Sequence, residues 1–186
     1  MTSNIMSKTI DSYLEIILGG MYAGKTSRLV EIYKQCVFCN IPVIVINHQI
    51  DNRYDDDMLT THDKIKIPCV KTNKLMDLDV DIHDVILVNE GQFFPDLYEF
   101  VDTILQLYQG KKIYVCGLDG DFERKKFGQI LDLIPLCDKV TKLTSLCSIC
   151  KDGTPGIFSK RISGETAQTV VGFDNYIPVC RRCYGN

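Results

Sequence analysis

A chain of 186 residues, 45% hydrophobic and 24% charged, is long enough for one substantial core with a small appendage and too short for two full domains. Its net charge of -3 gives no broad attraction for a polyanion, which argues against nucleic acid as the main partner. The amino terminus lacks a basic start followed by an apolar run, and no apolar run approaches the ~20 residues of a membrane span; the expected compartment is cytoplasm, with no membrane partner. In that reducing setting the nine cysteines read as thiols or metal ligands rather than as a disulfide framework.

Residues 1–12 read as an extension. The run "YLEIIL", starting at Tyr13, breaks at Gly19 and Gly20 as a buried strand entering a loop would. Leu29, Ile32, Tyr33, Cys36 and Val37 then recur at helical spacing, predicting an amphipathic helix over 25–39. "VIVIN" (43–47) fits a strand covered on both faces, and "HQIDNRYDDDMLTTHD" is too charged for a core. "IKIPCV" and "VILVN" predict two further strands with a helix at "NKLMDLDV" between them. Leu97, Phe100, Val101, Ile104, Leu105 and Tyr108 keep helical period between Pro95 and Gly110. "KIYVCG" is another buried strand, and "KVTKLTSL" supplies a last one. Strands alternating with helices predict a three-layer α/β domain with a mostly parallel sheet over 13–145. Glycines, prolines and two cysteine pairs replace that rhythm over 146–186, which predicts a small second unit.

Three motifs carry chemistry. "GGMYAGKT" (Gly19, Gly20, Met21, Tyr22, Ala23, Gly24, Lys25, Thr26), followed by Ser27, fits the phosphate-loop string and lies between a predicted strand and a predicted helix. Glycines let backbone N–H groups converge on phosphate oxygens at the positive end of the helix. Lys25 reaches the outer phosphates, and the Thr26 hydroxyl can ligate magnesium. Glu90 stands just past a buried strand, where a parallel sheet binds its ligands, with Gly91, Phe93 and Phe94 after it. It reads either as a general base beside an apolar pocket or as a cap for the helix starting near Pro95, with the phenylalanines in the core. Asn89 occupies a place where many phosphate-loop enzymes carry an aspartate that holds magnesium through water; an amide oxygen can bond such a water but brings no charge.

"CSIC" and "CRRC" place Cys147, Cys150, Cys180 and Cys183 as two CxxC pairs, which can complete a closed tetrahedron around one zinc ion. Four sulfur ligands leave no open position, so the metal would be structural and would pin both ends of residues 151–179. Cys36, Cys39, Cys69, Cys116 and Cys137 mostly fall on apolar faces and read as small core residues.

The phosphate loop, "EGQFFPD", "GLDGDFERKKFG" and the CxxC pairs with "YIPVCRRCY" together resemble the type II thymidine kinases, the cytosolic and poxvirus-like class, over roughly residues 13–184. The resemblance implies ATP- and Mg²⁺-dependent phosphorylation of the 5'-hydroxyl of thymidine or deoxyuridine, a structural Zn²⁺, a homotetramer and feedback inhibition by thymidine triphosphate. By position it implies Glu90 as base, Lys25 and Thr26 on phosphates and metal, and Asp51 and Arg53 on the phosphate side. It also implies that Met21, Phe93, Leu118 and Phe122 enclose the thymine, under a loop containing Thr169, Val170, Val171, Gly172 and Tyr176. Gly20 stands where proline is common, Val171 replaces a common glycine, and Asn89 replaces the family's aspartate. Two other readings follow: a member weakened by Asn89, which Asn89→Asp would restore, or a zinc-ribbon ATPase that binds nucleic acid.

Overall fold

The computed structural model describes residues 11–51, 57–165, 167–168 and 175–185. Its strands are β1 (Tyr13–Leu18), β2 (Val43–His48), β3 (Met58–Thr60), β4 (Lys66–Pro68), β5 (Val70–Thr72), β6 (Val85–Val88), β7 (Lys112–Gly117), β8 (Lys139–Lys142), β9 (Ser145–Leu146), β10 (Pro155–Gly156), β11 (Phe158–Arg161) and β12 (Tyr176–Val179). Its α-helices are α1 (Lys25–Phe38), α2 (Leu97–Leu107) and the single turn α3 (Arg181–Tyr184). Six strands form one sheet in the order β5-β2-β6-β7-β1-β8, with every neighbouring pair parallel.

Alternation along the central strands builds two apolar layers. Leu14, Ile16 and Leu18 of β1, Ile86 and Val88 of β6, and Ile113 and Val115 of β7 meet α2 and the 3-10 segment Ile130–Leu136 on one face. Ile17, Val85, Leu87 and Cys116 face the other way, onto Leu29, Val30, Ile32 and Cys36 of α1. This is the expected three-layer α/β arrangement. A separate apolar cluster around Cys147, Val179, Cys180 and Cys183 holds the short antiparallel ribbons β9–β10 and β11–β12.

Five expectations change. "IKIPCV" is two strands, because the chain turns out of an antiparallel ribbon with β3 after Pro68 and joins the edge of the main sheet as β5. The polar stretch before it contributes to the core: Leu59 is 1% exposed and pairs with Ile67 across the ribbon. "NKLMDLDV" forms one 3-10 turn, Leu75–Asp77, in which only Leu75 is buried. "KVTKLTSL" divides between β8 in the main sheet and β9 in the cysteine unit. Cys39 is exposed at the end of α1, whereas Cys36 and Cys116 are buried as expected. Residues 1–10 of the amino-terminal extension lie outside the described residues. Among the described residues no helix is long and apolar enough to cross a membrane.

Glu15 is the one acid inside β1, and it is 3% exposed. Burial pushes its carboxyl up, but hydrogen bonds from Thr141, Tyr13 and Lys139 outweigh burial and hold it below the usual carboxylate value. A depressed folded value means stability that is present above the unfolded value and lost as the pH falls through the folded one. Glu15→Gln should therefore narrow the gap in thermal midpoint between neutral and acidic buffer; an unchanged gap would show that Glu15 does not contribute to acid sensitivity.

Candidate active site

The loop leaving β1 is shaped by two glycines for different reasons. A Cβ on Gly19 would stand 2.5 Å from the Leu143 carbonyl oxygen, so space forbids a side chain there. Gly24, at φ +85°, adopts the left-handed conformation that starts α1, although nothing lies within 4 Å of where its Cβ would be. Lys25 is buried, and its Nζ donates to the Gly20 carbonyl (2.8 Å), which folds the ammonium back across its own loop. The Met21 N–H donates to Ser159 Oγ (2.9 Å), tying the loop to β11.

At the carboxyl end of β6 the chain turns sharply. Glu90 is left-handed (φ 55°) and leads into the 3-10 turn Gly91–Phe93, so it does not cap α2, whose N-cap is Asp96. The turn separates the two phenylalanines: Phe94 is 1% exposed in the core, and Phe93 stands in the cleft wall. Gln92 bridges the site. Its Nε2 donates to Glu90 Oε2 (2.7 Å), and its Oε1 accepts from the Leu118 N–H (3.0 Å).

These elements line one open cleft. Met21, Tyr22, Ala23, Gly24, Lys25, Thr26 and Ser27 form one side, with Asp51 and Glu90 at the floor. Phe93, Leu118, Phe122 and Tyr176 form the apolar side, so the structure gathers these sequence-predicted residues in one place. Gly19 and Gly20 lie beneath the loop and not in the cleft wall. Asn89 is also set back from the cleft. It is 1% exposed behind the wall, because its Oδ1 accepts from Thr26 Oγ1 (3.4 Å) and Cys116 Sγ (3.1 Å) while its Nδ2 donates to Asn47 Oδ1 (2.9 Å). Arg53, Thr169, Val170, Val171 and Gly172 lie outside the described residues.

The wall on the cysteine side is held by Arg161. Its guanidinium carbon is 3.7 Å from the Phe122 ring centroid and 5.0 Å from that of Tyr176. The same group donates to the carbonyls of Glu165 (2.9 Å), Ala167 (2.6 Å) and Gln168 (3.2 Å), and to the Tyr176 hydroxyl. One cation thus holds the chain on both sides of residues 169–174 against two cleft aromatics.

Behind this wall the Sγ atoms of Cys147, Cys150, Cys180 and Cys183 all lie within 4.8 Å of one another. Cys150 Sγ is 3.8 Å from Cys180 Sγ and 3.5 Å from Cys183 Sγ. A tetrahedral zinc with sulfur at about 2.3 Å requires roughly 3.8 Å between ligands. Hydrogen bonding from the Cys150 backbone leads in drawing the Cys147 thiol down to about 6, whereas the Cys150 side chain leads in pushing Cys183 up to about 12. Four adjacent thiols cannot all ionise without a cation, and the donor set and spacing fit a structural zinc site.

The family model for thymidine kinases matches residues 12–184. Over 176 residues the chain is 40% identical to the thymidine kinase of variola virus, covering 92% of this chain and 96% of that protein. It is 42% identical over 175 residues to the thymidine kinase of Yaba monkey tumor virus, covering 92% and 94%. Thymidine kinase 1 of Dictyostelium discoideum is 36% identical over 180 residues, covering 93% of this chain and 78% of that protein. This chain belongs to the thymidine kinase family.

In this family member the cleft also uses residues that sequence reasoning missed. Gln92 sits inside the quoted "EGQFF", where an amide two residues from the candidate base was the available signal. His62, packed on Tyr22 with centroids 4.9 Å apart, comes from the polar stretch before β4, and Phe127, edge-on to Phe93 at 5.4 Å, lies inside the quoted "GLDGDFERKKFG". Asp121 is 7% exposed; it accepts from the N–H groups of Glu123 and Lys125 (2.9 Å each) and from Gln168 Nε2 (2.7 Å).

Purified protein should contain about one zinc per chain, and Cys150→Ser should release it and lower the thermal midpoint. Metal analysis finding no zinc in a stably folded parent would remove the four-thiolate site.

Proposed function

We propose that this chain transfers the γ-phosphoryl group of ATP to the 5'-hydroxyl of thymidine, with deoxyuridine as a second acceptor. The observation that carries this reading is the meeting of the phosphate loop, the Glu90 carboxylate and an aromatic wall in one cleft. Glu90 takes the 5'-hydroxyl proton as the new bond to phosphorus forms and the bond between the β,γ-bridging oxygen and the γ-phosphorus breaks, leaving ADP. Gln92, donating to one Glu90 oxygen, steadies the carboxylate at the cleft wall.

Lys25 exchanges the Gly20 carbonyl for phosphate oxygens when nucleotide enters, and the amino end of α1 with its loop N–H groups receives the remaining charge. Lys25 is the sole lysine or arginine among the described residues lining the cleft, against Asp51, Glu90 and Asp121. A nucleotide triphosphate beside those carboxylates needs a further cation. The oxygens of Thr26 and Asp51 suit magnesium, which when bound neutralises phosphate charge as transfer occurs. Arg53 belongs to the phosphate side in the same reading.

Met21, Phe93, Leu118, Phe122 and Tyr176 offer the thymine a flat apolar slot, and main-chain groups of Thr169, Val170, Val171 and Gly172 would read its edge. The zinc unit anchors that loop, which reduces the entropy lost in ordering it. The same reading divides the chain into a kinase domain over 13–145 and a lasso subdomain over 146–186, supported by the separate cluster around the cysteines. Homotetramer assembly and feedback inhibition by thymidine triphosphate come with it, on the strength of the resemblance.

Labelled ATP offered with thymidine should yield labelled 5'-monophosphate. Glu90→Gln should lower kcat by ~10²-fold or more, with ATP binding retained. Gln92→Leu should lower kcat about tenfold through the lost hydrogen bond to a charged group, with KM for ATP unchanged. Unaltered turnover in Glu90→Gln would remove Glu90 as base, and ATP hydrolysis stimulated by DNA with no product from thymidine would overturn the kinase reading.

A further inference from the structure

Asn47 is 1% exposed at the carboxyl end of β2, alternating with Val45 so that it shares the α1 side of the sheet. Its Oδ1 accepts from Asn89 Nδ2 (2.9 Å), and its Nδ2 donates to Asp51 Oδ2 (3.1 Å). With the Thr26 hydroxyl donating to Asn89 Oδ1 (3.4 Å), this is one directed chain of hydrogen bonds. It starts at the phosphate-loop hydroxyl, passes through two neutral amides and ends on a carboxylate that faces the cleft. Cys116 supplies a second donor to Asn89 Oδ1 (3.1 Å), and burial pushes its thiol up to about 12, so it stays a protonated donor at neutral pH.

We propose that Asn47 is a positioning residue that places the metal-side negative charge of this site on Asp51, with Asn89 as its neutral link to Thr26. The inference deepens the kinase reading and rests on it. Directionality is the reason the chain accepts one carboxylate. An aspartate at 89 would set its oxygen 2.9 Å from Asn47 Oδ1, acceptor against acceptor. Turning the Asn47 amide over to donate to it would then face Asn47 Oδ1 to Asp51 at 3.1 Å. Either arrangement sets two acceptors against each other and costs the donor that the present arrangement supplies. Asn89 is therefore matched to Asn47 and Asp51 rather than a lost charge, and Asn89→Asp alone does not restore magnesium use.

The test is ADP binding by calorimetry at stepped magnesium concentrations, without thymidine, on the full chain. Asn47→Leu removes both hydrogen bonds; Asn47→Ser is the milder change, keeping a hydroxyl but losing the reach to Asp51. In each Asn47 variant that melts cooperatively, and in Asp51→Asn, the magnesium needed for half of the affinity gain should rise about tenfold. Magnesium-free ADP affinity of the Asn47 variants should stay within about twofold, a ratio that general loosening of the fold would not preserve. The double variant Asn47→Ser with Asp51→Asn should match Asp51→Asn alone to within about twofold, because both act through one carboxylate. Asn89→Asp should lower the thermal midpoint without lowering the magnesium requirement. The proposal is overturned if Asn47→Ser leaves that requirement unchanged while Asp51→Asn raises it, if the two effects multiply, or if Asn89→Asp lowers it with no loss of stability. Intact magnesium linkage in a parent that does not phosphorylate thymidine would instead overturn the kinase reading and leave the role of Asn47 in place.

Discussion

All six strands of the main sheet run the same way, and this constraint places the site. Parallel strands bring their carboxyl ends to one edge, so Gly19 after β1, Asp51 after β2, Glu90 after β6 and Leu118 after β7 emerge side by side although up to ~100 residues separate them in sequence. The two apolar layers hold this edge rigid. Because α1 lies on one layer and α2 on the other, the phosphate loop and the turn after β6 are each fixed by a helix packed against the sheet that carries them.

The cleft is chemically two-sided. One side is backbone N–H groups, Lys25 and oxygen donors; the other is Phe93, Leu118, Phe122 and Tyr176. The cysteine unit joins these sides through Ser159, which accepts from Met21, and through Tyr184, whose hydroxyl donates to the Phe122 carbonyl at 2.6 Å. The four-cysteine cluster behind the cleft is thereby tied to the position of the aromatic wall. Arg161 does the same locally by stacking on two rings while its fork gathers three carbonyls, an arrangement that lysine's point charge would not reproduce.

The elements that were legible in the sequence are those whose apolar residues repeat: β1, α1, β2, β6, α2 and β7 all lie where their periods placed them. The β3–β4 ribbon was not legible, since each of its strands buries a single residue, Leu59 or Ile67, in a polar stretch. The phosphate loop and the two cysteine pairs were readable because local spacing dictates their geometry, whereas spacing left Glu90 open between a general base and a helix cap. A third CxxC, Cys36 to Cys39, shares that spacing but sits at the end of α1, with one thiol buried and the other exposed. Asn47 was hidden for another reason. It ends the apolar run "VIVIN", and only the pairing of β2 with β6 reveals that its amide meets Asn89.

In the proposed reaction one cleft holds both substrates for direct transfer, with Glu90 removing a proton and never carrying phosphate. The stereochemical course at phosphorus tests it most directly, using ATP made chiral at its γ-phosphorus with oxygen isotopes and thymidine as acceptor. A single in-line transfer predicts inversion of configuration in the thymidine monophosphate formed. Retention would mean two successive transfers through an enzyme-bound phosphate, and would contradict the assignment of Glu90 as a base.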